Sequence, residues 1–357
     1  MHARCVRFGA AGIVVLAGAV LAHAQATPSP AAYRDAVGLY VQTGDPARAV
    51  QPLLGWDRKT LDAAVADVIA SQDATLIEAA AVLHLEIGVA IAGISTASSH
   101  GYFDLGAQLI DKLVPVNPDV RRNLSPARVD EIARVRATYH GVAGSAFLSV
   151  NDVFHARPYF ARALKITPNS PAILTLQGTA DEIDGVVVNP DDVENATLKR
   201  RAAQERTRLL LSAEERYRQA LSADPSYALA HIRLGRVELL FKNMKAAAVS
   251  LEKGSAAAQD PAHRYLAAMF MGAFLQEQKD LEGARAQFER ALKLSPRSQN
   301  AFVALAYVEM ISGRPDKAQA LARSFTGTSN SDEGWWAYKN GTLDSAGLQW
   351  LRARVRK

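Results

Sequence analysis

Four stretches of this chain end in nearly the same phrase: PYFARALKITP at 158–168, ERYRQALSADP at 215–225, VSLEKGSAAAQDP at 249–261 and AQFERALKLSP at 286–296. Three of them carry an aromatic residue, an alanine three positions later and a proline five beyond that: Phe160, Ala163, Pro168; Tyr217, Ala220, Pro225; Phe288, Ala291, Pro296. The third copy substitutes Leu251 and Gly254, and a small residue precedes each bulky one by four: Ala156, Ala213, Ala247 and Ala284. Such spacings line up along one stripe of an α-helix, so a neighbouring helix approaches at the small residues and the bulky side chain fills the space between. The proline ends that helix and opens the next.

Upstream of the phrases stand Ala143-Gly144, Gln177-Gly178, Leu234-Gly235, Met271-Gly272 and Leu305-Ala306, at the points where the first helix of an antiparallel pair would cross its second. The combination resembles the tetratricopeptide repeat (TPR) family, whose unit of about 34 residues is a helix-turn-helix that stacks on its neighbours. Residues 137–170, 228–261 and 265–298 carry the resemblance, and 299–325 is a degenerate copy that keeps Leu305, Ala306, Gly313 and Ala318. One unit, 171–227, is interrupted: Ala163 and Ala220 stand 57 positions apart. Within it a first helix is expected at 171–184 and a long one from Asp191 to Ala223, about 50 Å in length. Asp191 and Asp192 would then supply favourable negative charge at that helix's N-terminus.

Outside the repeats the chain reads as helical without the period. Residues 25–136 form an N-terminal helical region, with a degenerate TPR-like hairpin at 31–54 hinged on Gly44-Asp45-Pro46, helices near 57–71 and 75–94, a Ser/Thr/Gly/His loop at 95–101 and a helix at 102–114. Ser125-Pro126 has the cap-then-proline form of a helix start. The tail, 326–357, holds Trp335, Trp336 and Trp350, three of the four tryptophans. It is read as a C-terminal helical cap over the open apolar face of the last repeat. The fold expected is all-α, a TPR-type helical-hairpin solenoid with irregular N-terminal helices and that cap.

Arg4 and Arg7, the apolar run Phe8 to Leu21 and Ala22-His23-Ala24 read as a secretory signal peptide at 1–24, cleaved before Gln25. The only cysteine, Cys5, lies ahead of the apolar run, so the mature chain is expected to have neither thiol nor lipid anchor, no integral membrane segment, and a periplasmic or secreted location. Beyond the leader, 39 basic residues face 36 acidic ones, too mild a bias to imply nucleic acid. Composition, 49% hydrophobic and 22% charged, excludes a disordered or disulfide-stapled chain.

A solenoid supplies no catalytic template, and the side chains announce none. There is no H-E-x-x-H, no G-x-S-x-G, no glycine-rich phosphate loop and no C-x-x-C. His84, His100, His140, His155, His231 and His263 are scattered, and each is read as an ordinary surface or satisfied residue, with His231 packed between helices. No catalytic, cofactor-binding or metal-binding residue is therefore expected, and no enzyme.

The useful feature of stacked helix pairs is the face formed by their first helices. The resemblance implies that this face holds a peptide or partner protein. Carried onto this chain, it selects Leu229, Ile232, Arg236 and Leu239; Leu266, Met269, Ala273 and Gln276; and Asn300, Val303, Tyr307 and Met310. Ile232 and Arg236 stand where chaperone-binding relatives have a Lys/Asn carboxylate clamp, which argues against an acidic C-terminal peptide. Lys199, Arg200, Arg201, Arg206 and Arg208 form a basic stretch, read as a solvated face with i,i+4 pairs or a contact for an anionic envelope surface. The expected function is a non-catalytic interaction scaffold of the bacterial cell envelope. A solute-binding or transport accessory module is the alternative, and an enzyme with dispersed residues a weaker one.

Overall fold

The repeated phrase does what its spacing requires. In the computed structural model, which describes residues 27–53, 56–114, 124–324 and 343–356, every phrase is the second helix of a hairpin. The bulky side chain of the phrase, a ring in three copies and Leu251 in the other, lies on the glycine of the preceding helix. A Cβ built on Gly144 would meet Phe160 at 2.5 Å, one on Gly178 would meet Tyr217 at 2.7 Å, one on Gly235 would meet Leu251 at 2.7 Å, and one on Gly272 would meet Phe288 at 2.5 Å. Only a residue without Cβ permits this approach, so glycine and ring are two halves of one joint. Phe288 is 2% exposed, and the flanking Ala284 and Ala291 are fully buried. Phe288→Ala is therefore expected to cost about 3–5 kcal/mol, and Gly272→Ala about 1–3 kcal/mol by overpacking. Equilibrium denaturation of the full chain checks both; losses within about 0.5 kcal/mol, the range of surface substitutions, would put the joint elsewhere.

Among the described residues there are sixteen α-helices and no strand. They fall into two compact units. The first contains α1 (Pro30–Thr43), α2 (Pro46–Val50), α3 (Arg58–Ala70), α4 (Ala74–Ile91), α5 (Thr96–Asp111), α6 (Pro126–Ser149), α7 (Val153–Ile166) and, from the far end of the chain, α16 (Ser345–Val355). The second contains α8 (Pro171–Val187), α9 (Ala196–Ala223), α10 (Ala228–Leu240), α11 (Met244–Ala257), α12 (Pro261–Glu277), α13 (Leu281–Leu294), α14 (Gln299–Ile311) and α15 (Pro315–Ser324).

The first unit is built around α4. Its 18 residues are apolar and long enough to cross a membrane, but 67% of them are buried inside the protein. Its buried polar side chains meet polar partners, although His84 Nδ1 is left without one. Tyr33 hydroxyl meets His84 Nε2 at 2.6 Å, and Tyr40 hydroxyl donates to Glu86. Burial, with the Arg58 charge adding to it, pushes the His84 pKa down to about 3, so the imidazole is neutral. Gly44 has φ +64 and ends α1, with Asp45 capping α2 through Ala47 and Arg48 amides.

Three expectations need correction here. Residues 95–101 are not a loop: Ser95 accepts from the Ser98 amide and Ser99 Oγ donates to the Gly88 carbonyl, so the polar run is a capped helix start that begins α5 at Thr96. The long helix of the interrupted repeat begins at Ala196, where Asn195 caps it, and is about 42 Å long. Asp191 and Asp192 lie before it in a short 3₁₀ turn, where Asp191 pairs with Lys199 at 2.8 Å and Asp192 accepts from Asn189. The preceding helix, α8, runs three residues past the expected end at 184.

The third correction concerns the tail. Of the expected cap, Trp335 and Trp336 lie outside the described residues, as does the leader 1–24. The repeat at 299–325 belongs to the second unit, and the described part of the tail, α16, to the first. It packs on α6 and α4 of the first unit, burying Leu348, Leu351 and Val355. Arg352 Nη2 donates to Glu86 at 2.6 Å; Arg354 bridges Glu78 and Glu131, both at 2.6 Å. Trp350 lies under the guanidiniums of Arg134 at 4.5 Å and Arg354 at 5.3 Å. The carboxylates on α4 and α6 supplied the partners, and the arginines could be buried only beside them.

Candidate functional site in the second unit

The first helices α8, α10 and α12 stand side by side, with their second helices packed behind. The sequence-selected positions along this face divide sharply. Leu229 and Ile232 on α10, and Leu266 and Met269 on α12, are at most 5% exposed and belong to one apolar core with Phe270, Phe288 and Leu305. They hold repeats together and do not line an open surface. α10 packs between α8 and α12, and these side chains are part of the packing between neighbouring hairpins. Arg236, Leu239, Ala273, Gln276 and Asn300 are half-buried.

The stripe on α14 is different. Val303, Tyr307 and Met310 are 61%, 52% and 60% exposed, with Ile311 beside them at 44%. The opposite side of the same helix, Ala301, Leu305 and Val308, is in the core. An apolar helix face about two turns long is thus left facing outward. At its start the Nδ2 of Asn300 is a buried donor with no acceptor, the kind of group a peptide carbonyl would satisfy.

Toward α8 the face becomes polar. Glu182, fully buried, accepts from Arg233 Nη1 at 3.2 Å, Arg236 Nη1 at 2.5 Å and Tyr217 hydroxyl at 2.6 Å. The two guanidiniums lie 5.9 and 5.0 Å from the Phe270 ring centre. Burial together with the Glu182 charge holds the Tyr217 hydroxyl protonated, so it is the donor. Three donors on one carboxylate fix the Arg236 head, whose side chain is 12% exposed, at the edge of the face. Glu182 and Arg233 were not among the selected residues. The register that picks Leu229, Ile232, Arg236 and Leu239 would pick Ala172, Thr175, Thr179 and Glu182 in the interrupted repeat, so the signal was present there.

The same register on α6 gives Thr138, Gly141, Ser145 and Leu148, and this is where the tail lies. Asp344 amide donates to Ser145 Oγ at 2.8 Å, and a Cβ on Gly347 would touch Thr138 Cγ2 at 3.0 Å. In the first unit, then, the chain's own helix occupies the face.

The basic stretch sits on the early turns of α9. Arg200 and Arg201 are exposed, Arg206 is half-buried, Lys199 pairs with Asp191, and Arg208 pairs with Glu205 three residues back. His231 is buried as expected, its Nε2 meeting the Pro225 carbonyl at 2.9 Å. Among the described residues no three His, Cys, Asp or Glu side chains converge as a metal cluster.

Two stretches of the second unit, 202–263 and 275–333, match the tetratricopeptide repeat family. The second unit carries tetratricopeptide repeats. No curated protein matches the chain. Solved structures similar to it include a thermophilic TPR protein of Thermus thermophilus, 20% identical, covering 64% of this chain and 97% of that one, with a TM-score of 0.38. PilF of Pseudomonas aeruginosa is 18% identical, covering 63% and 99%, with a TM-score of 0.41. A TPR protein of Parabacteroides merdae is 12% identical, covering 76% and 86%, also at 0.41.

Proposed function

We propose that this chain is a non-catalytic scaffold that binds a partner protein along the first helices of its tetratricopeptide repeats, anchored on α14. The observation that carries the reading is the outward apolar stripe Val303, Tyr307 and Met310, more than half exposed on a helix whose other side is core. Contiguous exposed apolar surface of this kind marks interaction sites, and Tyr is among the residues that carry most binding energy at interfaces. Arg236, held by Glu182, supplies a fixed cation at the other end of the row.

The reading extends to place. The leader pattern at 1–24 supports export to a bacterial cell envelope, with Gln25 as the mature N-terminus, which N-terminal sequencing of envelope protein would test.

Affinity capture from the native envelope with the full chain, beside a Tyr307→Ser, Met310→Ser variant, tests the scaffold itself. Because both side chains are exposed, the variant should fold normally and lose its partner by at least about tenfold in affinity, equivalent to about 1.4 kcal/mol. Undiminished capture by the variant would remove α14 from the binding surface.

A further inference from the structure

We propose that the first unit carries a two-histidine site for a borderline divalent cation, zinc or copper, formed by His100 on α5 and His155 on α7. The sequence scatters these residues 55 positions apart; the fold brings their ring centres to 5.1 Å, at an interplanar angle of 62°.

Each ring has a carboxylate beside the same nitrogen, hydrogen-bonded at His155 and within ion-pair distance at His100. His100 Nδ1 lies 3.2 Å from Asp104 Oδ2, and His155 Nδ1 lies 2.7 Å from Asp152 Oδ2. The carboxylates are themselves fixed: Asp104 Oδ1 accepts from the Tyr159 hydroxyl at 3.1 Å, and Asp152 Oδ1 from the His155 amide at 3.1 Å. A neutral imidazole that donates Nδ1–H to a carboxylate keeps its lone pair on Nε2. This is the outer-shell arrangement that orients metal-ligating histidines and raises their basicity. No described residue engages either Nε2.

The ring separation leaves room for a shared ion. With both Nε2 atoms turned to one cation at about 2.0–2.1 Å, the ion would sit about 3.2 Å from each centre, and rings 5.1 Å apart would subtend roughly 105° at it, near the tetrahedral angle. Imidazole nitrogen suits zinc, copper and nickel more than calcium or magnesium. The nearby charges are Asp104 and Asp152 on the two Nδ1 atoms, the Arg162 guanidinium 5.3 Å over the Tyr159 ring, and Arg58, whose Nη1 donates to the Gly101 carbonyl at 3.4 Å. The Phe147 ring lies 6.0 and 5.4 Å from His100 and His155, Tyr159 6.2 Å from His100 and Phe154 5.1 Å from His155, and the histidine side chains remain 39% and 36% exposed. Two protein nitrogens leave the other positions to water or to a side chain of a bound partner.

The test is titration of the untagged full chain with Zn(II), by competition with a chromophoric chelator, and with Cu(II), followed by pulsed electron paramagnetic resonance. The expected result is one Cu(II) coordinated by two imidazoles, and at least tenfold weaker Zn(II) and Cu(II) binding in each of His100→Ala and His155→Ala, with one imidazole remaining in each spectrum. His263→Ala is the control, since His263 has the same carboxylate contact, with Asp260, but no second ring; it should change nothing. Absence of micromolar binding of either ion, or a two-imidazole signal that survives in His100→Ala, overturns the proposal.

Discussion

Replacing Arg352 with alanine is expected to destabilise the first unit by about 3–5 kcal/mol, because it strips a buried carboxylate of its cation. Glu86 is 3% exposed, and its described partners are Arg352 and the Tyr40 hydroxyl. Deleting 343–357 should go further, exposing the apolar surface under Leu348, Leu351 and Val355 and removing Arg354 from Glu78 and Glu131 as well. Hydrogen exchange in α4 and α6 reads the loss directly. A Glu86→Gln change should recover part of it in the Arg352→Ala background, since an amide is cheaper to bury than an unpaired charge. If Arg352→Ala unfolds within about 1 kcal/mol of the parent, the helix is an ornament on the unit and not a part of its core.

The second large effect is acid sensitivity of the same unit. His84 is fully buried, stacked with Tyr33 and near Tyr102, and its pKa falls from 6.5 to about 3. Between those values the unfolded chain binds a proton that the folded chain refuses. Stability contributed by the neutral ring is whole above pH 6.5 and declines as pH falls toward 3, by up to about 1.4 kcal/mol per unit. From about pH 6.5 to about 4.5, before most carboxylates titrate, this single group should remove roughly 2–3 kcal/mol. His84→Gln retains an acceptor for Tyr33 while abolishing the titration, so its urea midpoint should vary less steeply with pH across that window. Parallel curves for parent and variant would assign the acid sensitivity to other groups.

The joints between helices were legible because they are local: ring, small residue and proline recur at fixed offsets, and Gly272 with Phe288 forms the contact those offsets imply. The proposed binding face was legible in register and misleading in exposure. Offsets within a helix do not say which neighbour stands beside it, so Leu229 and Met269 sank into the core while Val303, at an equivalent place, stayed outside. Glu182 was within reach of the same register counted from Gly178, ahead of the insertion that interrupts its repeat. The destination of α16 was beyond reach of any periodicity, since Arg352 and Glu86 are 266 positions apart.

That separation bears on how the protein is made. Everything from Asn169 to Thr342, the whole second unit, is inserted between two parts of the first. On a ribosome adding roughly 5–20 residues per second, α1 to α7 emerge roughly 10–35 s before the helix that completes them. Throughout that interval Glu78 and Glu86 lack their arginines, so the earliest-synthesised unit is the last to be finished, and a stalled or truncated chain leaves its own beginning unfolded.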